Sequence, residues 1–332
     1  MVALSRTEDQ LAAALKVVGE SDASVIEKAE MLMEIAMGLQ QRPKEADDLL
    51  AAIELYEQAI HQCGDQDALL TARIRARMAT ALMAIPSEIA APIEQARDLL
   101  KQAIPVLAEG GSGEEVAEAE MNLGLALQTL AGAGMARITD AISAYQRSLR
   151  TFNKLRHPRE YAILNNNLAT AFLSVPITSD SGKISEALAV QSFEEGLSAV
   201  NLIDQPMEYA MLQNNLGNAL QYASSSHRVE NGFRALEAYD EALKVRQRDN
   251  TPLEYANTIA NKANCLCNLP DDPQDGEAGN PRNIAQAIKL LREAREIFAA
   301  AGAQDRAESA AQTIIELEMA VRGEPSRANG GF

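Results

Sequence analysis

Tryptophan is absent from the 332 residues, and seven tyrosines and six phenylalanines make up the whole aromatic complement. That poverty argues against a sheet-built interior and leaves a core of alanine and leucine, the material of close helix packing. Cysteine is scarce and odd in number: Cys63, Cys265 and Cys267 give no disulfide framework and fit a reducing compartment. No apolar run approaches the roughly 18 residues that a membrane span requires. The segment Met1–Asp9 carries acids where a signal peptide needs an apolar core, so a cytoplasmic protein is expected. Basic residues are outnumbered, 30 Lys and Arg against 47 Asp and Glu, for a formal charge of −17. Such a surface repels phosphate backbones and anionic lipid, so neither a nucleic acid nor a membrane is expected as a partner. A Gly-rich phosphate loop, an HExxH helix and a strand-turn serine elbow are all missing, so the sequence predicts no enzyme, no cofactor and no metal.

What is there is repetition. Glu-Tyr-Ala recurs at Glu160–Ala162, Glu208–Ala210 and Glu254–Ala256, spaced 48 and 46 residues apart. Aligned on its alanine, the phrase belongs to a column of six: Ala29, Ala72, Ala117, Ala162, Ala210 and Ala256. Seven residues further on stand Ala36, Ala79, Gly124, Ala169, Gly217 and Ala263, all small. Ten residues on stand Leu39, Leu82, Leu127, Phe172, Leu220 and Leu266, all large. Small and large residues alternating at helical spacing let two helix backbones approach closely while the large ones fill the space between.

A second helix follows each first one, with its own small–large–small pattern at Ala52/Tyr56/Ala59, Ala96/Leu100/Ala103, Ala141/Tyr145/Ser148, Ala189/Phe193/Gly196, Ala235/Tyr239/Ala242 and Ala287/Leu291/Ala294. Pro158, Pro206 and Pro252 mark helix starts, each with a glutamate two residues on at the positive dipole end. Thr251 and Glu254 have capping-box spacing. The stretches 176–182, 224–231 and 270–282 are polar and rich in breakers, and are expected as surface loops. The predicted organisation is an N-terminal capping helix within 1–25, six helix pairs at about 26–64, 69–109, 114–156, 158–203, 206–249 and 252–300, a C-terminal capping helix at 303–322 and a disordered tail at 323–332.

The small column, the large residue three positions after it and the A-x3-F/Y/L-x2-A second helix together resemble the tetratricopeptide repeat over about residues 26–300. Asn166-Asn167-Leu168-Ala169 and Asn214-Asn215-Leu216-Gly217 are similar to the Asn-Asn-Leu-Ala/Gly helices of kinesin light chains and of bacterial regulatory repeat arrays. The period of 43–52 residues exceeds the family's usual one, and the excess is expected in the turn inside each pair. The resemblance implies an all-α, right-handed superhelical solenoid whose first helices line a concave, peptide-binding surface. It also implies a non-enzymatic role.

At about 100° per residue, positions one, five, eight and twelve after the phrase alanine form a stripe beside the core face. Asn122, Asn167, Asn215 and Asn261 hold its fifth position, with Asn166, Asn214, Asn218, Gln221, Asn257, Asn264 and Asn268 beside them. Amides both donate and accept without charge, so such a ladder suits the backbone of an extended segment; alternatively it ties one repeat to the next. In the first two pairs the stripe changes to Glu30, Met33, Glu34 and Met37, then Arg73, Arg77, Thr80 and Met83. The arginines suit a partner carboxylate or a nearby Glu or Asp across helices equally. Tyr161, Tyr209 and Tyr255 recur at the repeat period and are expected to pack between repeats, and Cys265 is expected as a small core thiol. The functional expectation is a scaffold or adaptor holding a protein segment in its groove, with an assembly chaperone for an immature subunit as the alternative and self-association left open.

Overall fold

The computed structural model describes residues 6–41, 43, 46–87, 89–176, 180–224, 227–275 and 279–322, and the expected tail at 323–332 lies outside them. The described residues form fourteen α-helices. They run α1 (Arg6–Glu20), α2 (Val25–Gln41), α3 (Ala46–Cys63), α4 (Ala68–Ala84), α5 (Ala91–Gly110), α6 (Gly113–Gly132), α7 (Ile138–Ser148), α8 (Pro158–Leu173), α9 (Asp180–Leu197), α10 (Pro206–Tyr222), α11 (Arg228–Leu243), α12 (Pro252–Leu266), α13 (Pro281–Ala300) and α14 (Gln304–Val321). Two compact units divide the chain, residues 1–153 and 154–332. The first holds α1 and the pairs α2/α3, α4/α5 and α6/α7, and the second holds α8/α9, α10/α11, α12/α13 and α14. The repeat pattern runs unbroken across this boundary and does not mark it.

Within each unit the packing is between neighbours. Each first helix lies against its own second helix, which in turn meets the next first helix, and first helices also touch each other, α2 to α4, α4 to α6, α8 to α10 and α10 to α12. The small columns make this possible. Ala29, Ala36, Ala72, Ala79, Ala162, Ala169, Ala256 and Ala263 are fully buried, as are Tyr56, Leu100, Tyr145, Phe193 and Tyr239 of the second helices. Of the large first-helix column, Leu82, Leu127, Leu220 and Leu266 are buried while Leu39 and Phe172 are only half-buried.

The glycines of the small column stand opposite tyrosine. A Cβ on Gly217 would lie 2.6 Å from the Tyr239 ring, and one on Gly124 would likewise collide with Tyr145. Each buried phenol then needs an acceptor, and each finds an amide on the first helix of its own pair. Tyr56 donates to Gln40 at 2.8 Å, Tyr145 to Gln128 at 2.7 Å, and Tyr239 shares its one proton between Asn218 and Gln221, at 2.7 and 2.8 Å. Asn218 and Gln221 are therefore committed to the fold.

Helix starts follow the sequence signals with one exception. Pro158, Pro206 and Pro252 open α8, α10 and α12, with Glu160, Glu208 and Glu254 in the first turns. The expected Thr251/Glu254 capping box is absent, because the Thr251 hydroxyl turns back to the backbone N–H and C=O of Gln247. A capping box forms instead at Ser112 and Glu115, and Asp67 caps α4 through Leu70.

The added repeat length lies mostly in the helices, which run to 15–20 residues apart from the 11-residue α7. Only a few residues separate the two helices of a pair, 42–45, 85–90, 133–137, 174–179 and 223–227, except in the last pair, where 267–280 intervene. Helices α9 and α11 accordingly start inside the stretches expected as loops. The long turn is tied down by Asp271, which accepts from the N–H groups of Arg282 and Asn283 at 2.9 Å each and so caps α13 from across the loop.

Burial pushes the Tyr56 phenol and the Cys265 thiol each up to about 12, and it raises Tyr145 and Tyr239 further. These groups stay neutral in the fold at pH values where an unfolded thiol or phenol, with pKa near 8.5 or 10, has ionised. Their contribution is therefore complete at neutral pH and is lost as pH climbs from about 9 through 12. Denaturant midpoints measured across that window are expected to fall, less steeply in a Tyr239→Phe variant; an unchanged slope would contradict the burial.

Candidate binding site on the first-helix faces

The first-helix stripe carries a cavity in each unit. In the first unit a cavity of about 180 Å³ opens between α2, α4 and α6. Its apolar lining is Met33 and Met37 from α2, Ala76 from α4, Ala119 from α6 and Leu107 from α5. Arg73, Arg77 and Thr80 stand on one side of its rim, and Glu115, Glu118 and Asn122 on the other.

The rim charges are paired across the two helices. Arg73 holds Glu115 through Nε at 2.6 Å and Nη2 at 3.3 Å, and Arg77 reaches Glu118 at 3.2 Å. The Arg73 guanidinium, with help from the Ser112 N–H, holds the Glu115 carboxyl below the usual carboxylate range, and Glu115 in turn pushes Arg73 up. Of the two readings open for these arginines, the structure places them with neighbouring glutamates. Thr80 accepts from Gln40 at 2.7 Å and donates to the Arg77 carbonyl, which commits its proton and one of its two lone pairs. Asn122, half-buried, makes no hydrogen bond to a described residue.

In the second unit the same stripe is an amide chain. Asn261 donates to Asn214 at 3.3 Å, Asn214 to Asn215 at 3.1 Å, Asn215 to Asn166 at 2.8 Å, and Asn166 to Asn167 at 3.2 Å. The chain thus runs from α12 through α10 to α8 and ties three first helices together. Asn166 and Asn214 are buried, at 8% and 7% exposure, while Asn167, Asn215 and Asn261 are half-buried. Each amide in the chain spends one donor or acceptor on a neighbour or two, and each NH2 and each carbonyl has capacity beyond that.

Beyond this chain, α12 and α14 enclose a cavity of about 280 Å³. Asn257, Asn261 and Asn264 line one side; Arg306, Ser309 and Thr313 of α14 line the other. Arg306 lies 5.9 Å from the centre of the Phe298 ring and donates to Asn257 at 3.2 Å. Sequence reasoning missed the three α14 residues, because α14 lies outside the repeat register and reads only as an amphipathic cap. Asn268, placed beside the stripe by the sequence, folds back on the Asn264 carbonyl at 2.9 Å.

The recurrent tyrosines use their hydroxyls inside their own pairs. Tyr161 meets Glu195 at 3.3 Å, Tyr209 meets Glu241 at 2.8 Å and Tyr255 meets Glu293 at 3.2 Å, linking first helix to second. Their rings reach further, and Tyr255 packs in a cluster with Leu243 of the preceding pair. Cys265 is buried against the Gly232 carbonyl at 3.3 Å, and no group of three or more His, Cys, Asp or Glu able to hold a metal ion occurs among the described residues. No helix among them is long and apolar enough to cross a membrane.

Neither a family model nor a curated protein matches this sequence. Among solved structures the chain is similar to the apo form of the quorum sensor NprR from B. thuringiensis, at 13% identity and a TM-score of 0.51, over 94% of this chain and 81% of that one. Matches with lower TM-scores include BtubC (BKLC) from P. vanneervenii, at 0.35 with 18% identity over 99% and 98% of the two chains. Another is the TPR2AB-domain:pHSP90 complex of yeast Sti1, at 0.30 with 16% identity over 88% and 99%. Helix order, pairwise packing and the likeness to the apo NprR structure agree on the architecture: the chain has a tetratricopeptide-like, all-α repeat fold.

Proposed function

We propose that the chain is a non-enzymatic scaffold that holds a segment of another protein against its first-helix faces. The observation that carries this reading is that a cavity opens on that face in each unit, lined by stripe positions of α2, α4 and α6 in the first and by those of α12, facing α14, in the second. Amides with spare hydrogen-bonding capacity suit a backbone, and side-chain-sized cavities suit its anchors. An assembly chaperone for a bulky immature subunit calls for a broad apolar surface, which these small cavities do not provide, so the scaffold reading is preferred.

The test is a display library of unstructured segments screened against the full chain. Specific binders are expected, and Asn264→Ala, which breaks no hydrogen bond made by that side chain to a described residue, is expected to weaken those that use the second unit about tenfold, or 1.4 kcal/mol. Thermal stability is expected to stay unchanged in that variant. Failure of every segment to bind, or binding indifferent to changes in both cavities, would overturn the reading.

A further inference from the structure

The two units do not present the same chemistry at equivalent positions. Four residues after the phrase alanine stand Met33, Ala76 and Met121 in the first unit, where the second has Asn166, Asn214 and Ala260. The amide chain of the second unit is thus replaced in the first by thioether and methyl groups, and it is there that the 180 Å³ cavity opens. Its rim carries two arginines and two glutamates, each arginine already paired with a glutamate, so the local formal charge is zero in a chain of −17.

We propose that this cavity is a specificity pocket for the ring of a phenylalanine on a partner segment with no net charge near that residue. The inference rests on the segment-binding reading above and names the chemistry of one of its sites. Three observations converge on this occupant. The volume suits a single ring, since an apolar cavity of about 150 Å³ holds one benzene molecule. Met33 and Met37 offer polarizable sulfur on one wall, which favours an aromatic ring over an aliphatic chain of the same size. The rim charge is balanced, because Arg73 and Arg77 are paired with Glu115 and Glu118. A charged partner residue would have to compete with these pairs, whereas a neutral one leaves them as a ring around the cavity. Asn122, at the same column as Asn167, Asn215 and Asn261, is placed to receive the backbone beside the ring.

The experiment uses the full chain labelled with 13C in its methionine methyl groups and titrated with N-acetylphenylalanine amide. Saturable ring-current shifts are expected at Met33 and Met37, with weaker saturation by N-acetylleucine amide and none by the aspartate or lysine analogues. Raising the salt from about 0.05 to about 0.5 M is expected to change the apparent affinity less than about twofold, since no unpaired charge takes part. Ala76→Phe, at a half-buried position, is expected to fill the cavity and abolish the shifts with helicity retained, and Met37→Gln to weaken binding about fivefold or more. Shifts spread evenly over the exposed methionines, saturation that survives Ala76→Phe, or preference for a charged analogue would overturn the pocket. Library segments that bind while Met33 and Met37 stay unmoved would overturn it as well and leave segment binding standing. Occupancy by the phenylalanine probe with no library segment bound would do the reverse.

Discussion

Gly217→Ala is expected to destabilise the protein by about 1–3 kcal/mol, although it adds a single methyl group to the centre of a helix, where alanine ordinarily stabilises. The new Cβ would sit 2.6 Å from Cε1 of Tyr239 and 2.9 Å from two further ring atoms. The ring cannot step aside: it is fully buried, and its hydroxyl is fixed by Asn218 and Gln221 on the same helix as Gly217. The helix pair must therefore spread, loosening contacts on both sides. The relief is readable from a neighbouring repeat, where Ala263 stands opposite Leu291 in a packed cluster. Tyr239→Leu alone is expected to cost about 2–3 kcal/mol through the lost ring volume and the two amides left without their donor. Together the changes are expected to cost at least about 1 kcal/mol less than their sum, because the leucine vacates the space the methyl needs. Denaturant unfolding of the four proteins measures this directly. Strict additivity would mean that Gly217 and Tyr239 do not share the contact described.

The small and large columns were legible because size is all they encode: a position that admits only Ala or Gly in six repeats must face a backbone or a ring. The Gly–Tyr correspondence is only partly readable from the chain: Gly124 and Gly217 occur in pairs whose second helix offers Tyr145 and Tyr239, yet Tyr56 is paired with Ala36. The direction of the asparagines was harder. A wheel at 100° per residue puts positions four and five after the phrase alanine side by side, and only their neighbours tell them apart. Position four is Met33, Ala76, Met121 and Ala260 in the other repeats, an apolar column, and that was the available sign that Asn166 and Asn214 are buried. Arg246 is a polar intrusion of the same kind. The corresponding positions, at or just past the end of each second helix, hold Cys63, Leu107, Phe152, Val200 and Phe298, all buried, and Arg246 fits there by donating to the fully buried Thr258 at 2.9 Å. Burial lowers its proton affinity, and Thr258 itself replaces an apolar residue found elsewhere as Ile74, Leu164 and Leu212. Paired exceptions of this sort lie on two helices and leave no mark in either one alone. The α14 side of the second cavity was illegible for a simpler reason, because a capping helix has no partner repeat to be compared with.

Asn214→Ala is expected to cost about 2–4 kcal/mol, more than any surface substitution on the same helix. Asn214 accepts from Asn261 of α12 and donates to Asn215, which in turn donates to Asn166 of α8, so one truncation interrupts the chain in its middle. Two polar groups then lose partners at half-buried sites, at roughly 1–3 kcal/mol each before water recovers part of the loss. The same reasoning changes what a combined Asn167, Asn215 and Asn261 replacement would report. Because Asn215 and Asn261 are both donors between helices, that variant is expected to melt several degrees lower, and a loss of binding in it could not be assigned to a lost contact with the partner. Asn264→Ala avoids that ambiguity. A decisive comparison is Asn214→Met with Asn166→Met, which installs the residue that the first unit carries at two of its three positions in this column. If burial of any well-fitting group is what the column requires, the double variant should recover most of the stability lost by Asn214→Ala. If the amide pairing itself is what holds α8, α10 and α12 in register, stability should not recover and native-state hydrogen exchange across those helices should accelerate, because methionine leaves Asn215, Asn261 and Asn167 without these partners.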